Sequence, residues 1–164
     1  PSFNELFFGH PDNGNMSCIS AITIEGCIAV KALKLNTAET FIDFFENHIL
    51  IHCNAIGPRS VILMDSARVH NKDLIEMLCY EKGVRVVYFP PYEPWKNPIE
   101  FTNGNVRSYI HRNYFNITKF DNLANILETS FKASATPEKT IQFFNHCGLT
   151  ITADDIEYIN RTNN

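Results

Sequence analysis

The sequence predicts an α/β fold in which helices flank a mixed sheet. Two runs rich in Ile, Val, Ala and Thr lie close together near the start of the chain. Two short apolar runs then follow with a helical pattern between them, and helical patterns dominate after residue 98. This order favours an antiparallel hairpin to which further strands are added through helical crossovers. A length of 164 residues suits one domain spanning residues 1–164.

The first predicted unit is a β-hairpin followed by an amphipathic helix. Residues 17–24 and 27–35 predict the strands, with Glu25-Gly26 as a two-residue turn. Asn36 predicts the N-cap of the helix, and Glu39 at its third position completes a capping-box pattern. Its apolar face repeats every three to four residues, which indicates burial of one side, and consists of Phe41, Phe44, Phe45, His48 and Ile49.

The second predicted unit is a strand–helix–strand segment. Residues 61–64 and 84–89 predict buried strands. Asn71 predicts the cap of the helix between them, and Gly83 its end. Four further helices are expected at residues 99–113, 119–131, 137–144 (capped by Thr136) and 154–159.

Composition limits the class of protein. Apolar residues make up 45% of the chain and 13 residues are Phe, which favours a packed globule over a disordered chain. No apolar run has the length that a membrane span needs, and the first residues do not resemble a leader peptide. Five cysteines, odd in number and never spaced as C-x-x-C, predict free thiols in a reducing compartment. We therefore expect a soluble intracellular protein, nuclear if its host is a eukaryote.

Charge does not identify a nucleic-acid binder by itself. The net charge of −4 argues against a strongly basic surface over the whole chain. Residues 59–119, however, hold nine Lys or Arg against six acids. The basic excess of this segment leaves room for contacts with phosphates.

Two carboxylates frame the most informative stretch. Asp65 closes an apolar strand, where α/β proteins gather their ligands, although it could instead cap the turn that follows. Glu100 is the third residue of a helix start, Asn97-Pro98-Ile99-Glu100, so helix capping is its alternative role. Since each follows a strand of the same predicted sheet, we expect both at one sheet edge. Paired carboxylates there suit Mg²⁺ or Mn²⁺ better than zinc.

Two segments of this stretch resemble the catalytic core of mariner-type and related bacterial insertion-sequence transposases, which are DDE-type enzymes: Asp65-Ser66-Ala67-Arg68-Val69-His70 and Pro90-Pro91-Tyr92-Glu93-Pro94-Trp95-Lys96-Asn97-Pro98-Ile99-Glu100. The family pattern reads roughly D-N-A-x-x-H and then P-P-Y-S-P-x-L-N-P-I-E. Its spacing of 34 residues between the last two carboxylates is also matched here. The departures are Ser66 for Asn, Glu93 for Ser, and Trp95-Lys96 for Asp-Leu.

The resemblance implies a ribonuclease H-like fold and two-metal phosphoryl transfer on DNA, with Mg²⁺ or Mn²⁺ as cofactor. It makes Asp65 the second and Glu100 the third metal-binding carboxylate. It places His70 and Asn97 near the active site. Phosphate contacts and, in a longer parent protein, a homo-oligomer are also expected; the candidate DNA-binding residues are Arg68, Lys96, Arg107 and Arg112.

The resemblance also predicts what this chain lacks. The family's first aspartate belongs on an opening strand ahead of the hairpin, and the recognition helices for transposon ends precede that strand. Here the upstream acids are Glu5 and Asp12, and neither lies in a convincing strand pattern. We therefore expect a core truncated at its N-terminus, with little or no strand cleavage by this chain alone. The alternative is a non-catalytic remnant, decayed or domesticated, that binds nucleic acid or a protein partner.

Trp95 is the one tryptophan of the chain and lies in the proline-rich loop before Glu100. Its position favours a packing anchor for that loop. The alternative is a platform on which a nucleobase stacks.

Overall fold

A computed structural model describes residues 16–34, 36–65, 71–117 and 122–162, with side chains given up to 113 in the third range and up to 161 in the last. It begins with the predicted hairpin, formed by β1 (Ser17–Thr23) and β2 (Gly26–Leu33). The two-residue turn is Ile24-Glu25, one residue earlier than expected. Gly26 begins β2 with a φ of +108°, a conformation that glycine adopts without steric cost. A register shift between Ala21 and Ile22 marks a bulge in β1.

The next helix, α1 (Ala38–Phe44), is capped by Thr37 rather than by Asn36, so that prediction is wrong. The Thr37 hydroxyl accepts a hydrogen bond from the main-chain N–H of Thr40, and the Thr40 hydroxyl accepts one from the main-chain N–H of Thr37. The capping box is therefore formed by Thr37 and Thr40, and Glu39 takes no part in it. The helix continues as a π-helical turn, Phe45–Ile49, and a 3₁₀ turn, Leu50–His52. Four residues of the predicted apolar face are buried: Phe41, Phe44, Phe45 and Ile49. The fifth, His48, is exposed, and its ring stacks on that of Phe44.

The strand–helix–strand prediction is confirmed. β3 (Val61–Met64) and β4 (Arg85–Tyr88) pair in parallel, joined through α2 (Lys72–Lys82). The side chain of Asn71 accepts a hydrogen bond from the N–H of Leu74 at 3.3 Å, and Gly83 ends the helix in the left-handed conformation.

The four later helices are also present, with ends that differ from the predictions by up to four residues: α3 (Pro98–Ile117), α4 (Leu123–Ser134), α5 (Pro137–His146) and α6 (Ala153–Thr162). A 3₁₀ turn, Pro94–Lys96, precedes α3. The start of α4 is later than expected because Asn122 caps it, accepting from the N–H of Asn125 at 2.9 Å. None of the described helices is long and apolar enough to cross a membrane.

The expected single mixed sheet is not found among the described residues. The strands form two separate two-stranded sheets, β1–β2 and β3–β4, with a groove lined by β1 on one side and β3 on the other. An ion pair of 3.0 Å between Glu25 and Arg59 holds the hairpin turn near the start of β3.

Two apolar clusters pack on opposite faces of the hairpin. The first joins β1 to α1, α2 and the β3–β4 sheet and includes Phe44, Phe45 and Ile75. The second joins the hairpin to α3 and α4 and includes Val106, Leu127 and Phe131. Because side chains alternate between the two faces of a strand, successive hairpin residues contribute to the two clusters in turn. The groove lies beside this doubly covered hairpin.

Candidate active site

The groove between the two sheets holds both candidate carboxylates. It encloses about 630 Å³, and its lining includes Asp65, Glu100, Asn97 and Asn103. Asp65 and Glu100 are both exposed. Residues from two separate parts of the chain, the end of β3 and the start of α3, are thereby brought to one cavity.

Asp65 is positioned by the end of a strand. The carbonyl of Met64 accepts a hydrogen bond of 2.9 Å from the N–H of Phe89, so β3 remains paired up to the residue before Asp65. The carboxylate then emerges at the carboxyl end of the parallel pair, where ligands gather in α/β proteins. The turn that Asp65 might otherwise cap, at residues 66 and 67, lies outside the described residues.

Glu100 is positioned by the start of α3. The side chain of Asn97 accepts a hydrogen bond of 3.2 Å from the N–H of Ile99, and Pro98 occupies the first helical position. A capping box would require the Glu100 carboxylate to accept from the N–H of Asn97. That N–H donates instead to the carbonyl of Pro94, at 3.0 Å. The capping alternative for the Glu100 side chain is therefore not realised.

One face of α3 carries further polar side chains beyond Glu100. Glu100, Asn103 and Arg107 follow one another at intervals of three and four residues, which places them on the same face of a helix. Asn103 lines the groove although sequence reasoning missed it; its helical spacing from Glu100 was the available signal. Arg107 is half-buried, whereas Arg112 is exposed and its Nε donates to the carbonyl of Ser108 at 3.1 Å.

The loop before α3 carries a neutralised charge and two exposed aromatic rings. The ammonium of Lys96 lies 2.7 Å from the carboxylate of Glu93, a pairing that sequence reasoning also missed. The exposed fraction of Trp95 is 59%, which does not fit a packing anchor. Tyr92 is 93% exposed and has a φ of +65°, a strained value for a side chain of its size. The remaining predicted site residues, Arg68 and His70, and the upstream acids lie outside the described residues.

The donor chemistry suits a hard divalent cation. Mg²⁺ prefers oxygen ligands, keeps several waters, and is commonly held by one or two protein carboxylates plus substrate phosphate. Asp65 and Glu100 supply such a pair in the groove. No group of three His, Cys, Asp or Glu side chains suited to a metal is found among the described residues. These two side chains are thus oxygen donors of the kind that Mg²⁺ binds.

All five thiols are free, as the sequence predicts: Cys18, Cys27, Cys53, Cys79 and Cys147. Burial, with a smaller effect of the Glu128 carboxylate, raises the pKa of Cys18 to about 12. Burial likewise raises the pKa of Cys79 to about 11. Thiolates are the reactive and metal-binding form, so these cysteines are suited to packing rather than to chemistry.

Comparison with known protein families assigns this chain to one of them. A model of the DDE superfamily endonucleases matches residues 9–123. The chain belongs to the DDE superfamily endonucleases. The matched region of this DDE domain runs from before β1 to the start of α4 and contains both Asp65 and Glu100. No curated protein matches the chain.

Proposed function

We propose that this chain is the DNA-acting core of a DDE endonuclease of the mariner-type or bacterial insertion-sequence branch. In this proposal Asp65 and Glu100 hold Mg²⁺ or Mn²⁺, and the target is a phosphodiester of DNA. The observation that carries it is that these two exposed carboxylates line one groove. Membership of the family supplies the class of substrate.

The chain's own residues would fix the geometry of the site. A bound divalent ion would supply charge stabilisation and a more acidic attacking water or hydroxyl. The ladder bond at Met64 holds Asp65 at the strand end, while Asn97 and Pro98 hold Glu100 in the first turn of α3. The N-terminus of this 20-residue helix carries partial positive charge and faces the groove, which favours a phosphate there.

Binding of DNA would run through cations on the loop and on α3. Lys96, Arg107 and Arg112 lie on the segment that contains Glu100, and Arg68 follows Asp65 in the sequence. Contacts with phosphates release counterions, so the affinity should fall steeply as salt rises. Equal affinity at 50 mM and 200 mM salt would contradict this mode of binding.

Cleavage needs more than the described carboxylates provide. Two divalent ions require more negative charge than two carboxylates supply easily, and no group of three side chains suited to a metal is found among the described residues, although Glu25 and Asp155 also line the groove. We therefore expect metal and DNA binding with little or no strand cleavage by this chain alone. The same observation favours the second candidate function, a non-catalytic domain that binds DNA or a protein partner.

Metal titration tests the proposed site directly. We expect the chain to bind Mn²⁺, and we expect D65N and E100Q each to weaken that binding at least about tenfold, since each removes a charged ligand. Asp73, an exposed acid in the first turn of α2, provides the matched control D73N. Paramagnetic relaxation of water protons reports free against bound Mn²⁺. Unchanged affinity in both D65N and E100Q would refute the site.

A nicking assay separates the two candidate functions. Supercoiled plasmid is incubated with the chain and Mg²⁺ or Mn²⁺, and no excess of nicked circles over buffer is expected. Cleavage that disappears in D65A would show that a third acid completes the site in the folded chain. The variants E5Q and D12N would then identify which upstream acid it is.

A further inference from the structure

The loop of residues 90–96, which leads from β4 to α3, has a firmly held main chain. Three of these residues are proline, and the proline ring fixes the φ angle. The N–H of Lys96 donates to the carbonyl of Glu93 at 3.1 Å, within the 3₁₀ turn. The thiol of Cys147, just after α5, donates to the carbonyl of Trp95 at 3.4 Å. The main chain of Trp95 is therefore held from two sides.

The side chain of Trp95 is exposed although its main chain is held. None of the aromatic contacts found among the described residues involves this indole ring. Tyr92, three residues earlier, is still more exposed and has a strained main chain. Strained residues persist where the surrounding structure holds them, and they cluster at binding and catalytic sites. The loop therefore presents two large rings to a molecule outside the chain.

This loop leads directly to the candidate active site. Asn97 and Pro98, the two residues that follow it, line the groove together with Glu100. Two residues of extended chain span at most about 7 Å, so the Cα atoms of Trp95 and Asn97 are no farther apart than that. A DNA strand that reaches Glu100 would therefore pass the Trp95 ring within a few nucleotides.

The charges beside the ring suit a nucleotide better than an apolar protein surface. Lys96 follows Trp95 directly, and because its ion pair with Glu93 is partly exposed, a phosphate can compete for the ammonium. The N-terminus of α3 adds partial positive charge close by. Sites for single-stranded nucleic acid combine such cations, which contact phosphates, with aromatic rings on which bases stack. A protein partner would instead be expected to cover a contiguous apolar patch.

We propose that the Trp95 ring stacks on an unpaired base of the DNA bound at the groove. Such stacking rests on the proposed function, because that function is what brings DNA to the groove. It is not implied by the resemblance, since the family pattern has Asp-Leu where this chain has Trp95-Lys96. A base inside a duplex must first be unstacked and unpaired, which costs free energy. The ring should therefore add affinity for DNA with unpaired bases and little for a fully paired duplex.

Intrinsic fluorescence tests the stacking directly, because Trp95 is the one tryptophan of the chain. The full chain is titrated at low salt with a single strand of thymidylate and, as the matched ligand, with an abasic strand that has the same number of phosphates. We expect the thymidylate strand to quench the emission and the abasic strand to leave it nearly unchanged. Equal quenching by both strands, or thymidylate binding without quenching, overturns the proposal.

Variants at residue 95 give a second readout, the fluorescence anisotropy of labelled DNA. W95A should weaken binding of the thymidylate strand at least about fivefold, the lower end of the loss when one base–aromatic stack is removed. Its affinity for the abasic strand and for a paired duplex should change less than about twofold. W95F keeps an aromatic face and should recover most of the loss, whereas W95L should not. Y80A removes a ring that is 85% exposed on α2 and should leave binding unchanged.

The three DNA ligands also separate failure of the stacking from failure of the proposed function. If none of them binds, the proposed function is refuted and the stacking with it. If the abasic strand and the duplex bind, and W95A binds thymidylate as tightly as the unmodified chain, only the stacking is refuted. Emission that changes with protein concentration in the absence of DNA would show that a second copy covers the ring, which also overturns the proposal. If W95A does not fold, as judged by circular dichroism, the quenching of the unmodified chain decides.

Discussion

Replacing Glu128 by alanine tests how α4 covers the outer edge of the hairpin, along β2. Its carboxylate accepts a 2.9 Å hydrogen bond from the half-buried N–H of Ala32, 96 positions away in the chain. Bonds to charged acceptors are about twice as strong as neutral ones, and a buried donor left without an acceptor costs about 1–3 kcal/mol. We expect E128A to lower the free energy of unfolding by that amount. For a chain of this size, each kcal/mol lowers the melting temperature by about 2–4 °C.

Urea denaturation followed by circular dichroism measures the loss. E128Q is the matched control, because it keeps an acceptor oxygen while removing the charge, and it should lose less than E128A. Glu81, exposed on α2, supplies a second control: E81A should stay within about 0.5 kcal/mol of the unmodified chain. If E128A also stays within that margin, the bond does not stabilise the edge and the reasoning fails.

Three further predictions concern a turn, a thiol and a loop. A methyl group at Gly26 would lie 2.7 Å from a main-chain oxygen, and the φ of +108° is unfavourable for alanine, so G26A should destabilise the chain by about 2 kcal/mol or more in the same urea assay. The control G104A adds its methyl group to open space on α3 and should stabilise the chain by about 0.5–1 kcal/mol. Since burial raises the pKa of Cys18 from 9.0 to about 12, the unfolded state ionises first as pH rises, and stability should fall between about pH 9 and 12 with a slope that C18S reduces. E93Q should release Lys96 and strengthen DNA binding several-fold at low salt; an unchanged dissociation constant in fluorescence anisotropy would show that Lys96 does not contact phosphate.

Local signals made the strand–helix–strand unit predictable. The Asn71 side chain can cap the start of α2, and Gly83 can adopt the left-handed backbone conformation that ends it. The short apolar run at 61–64 is typical of a buried strand. The cap of α1 was harder, because Asn36 and Thr37 are both suitable N-cap residues in adjacent positions. Only the pairing of Thr37 with Thr40 decides between them.

The number of sheets could not be predicted in the same way. Strand pairing joins residues that are distant in sequence, and the pattern of apolar residues does not say which edges meet. Each of the four predicted strands is present, yet β1 and β3 face each other across a groove instead of joining one sheet. Asp65 and Glu100 nevertheless line the same groove, because the position of each depends on the end of its own element.

The groove also links the fold to the proposed chemistry. Asp65 belongs to the sheet that packs in the first apolar cluster, whereas Glu100 begins a helix that packs in the second. Between these two units the described residues provide side-chain packing and the Glu25–Arg59 ion pair, but no strand ladder. The separation of the two carboxylates therefore depends on side-chain contacts between these units rather than on strand pairing among the described residues.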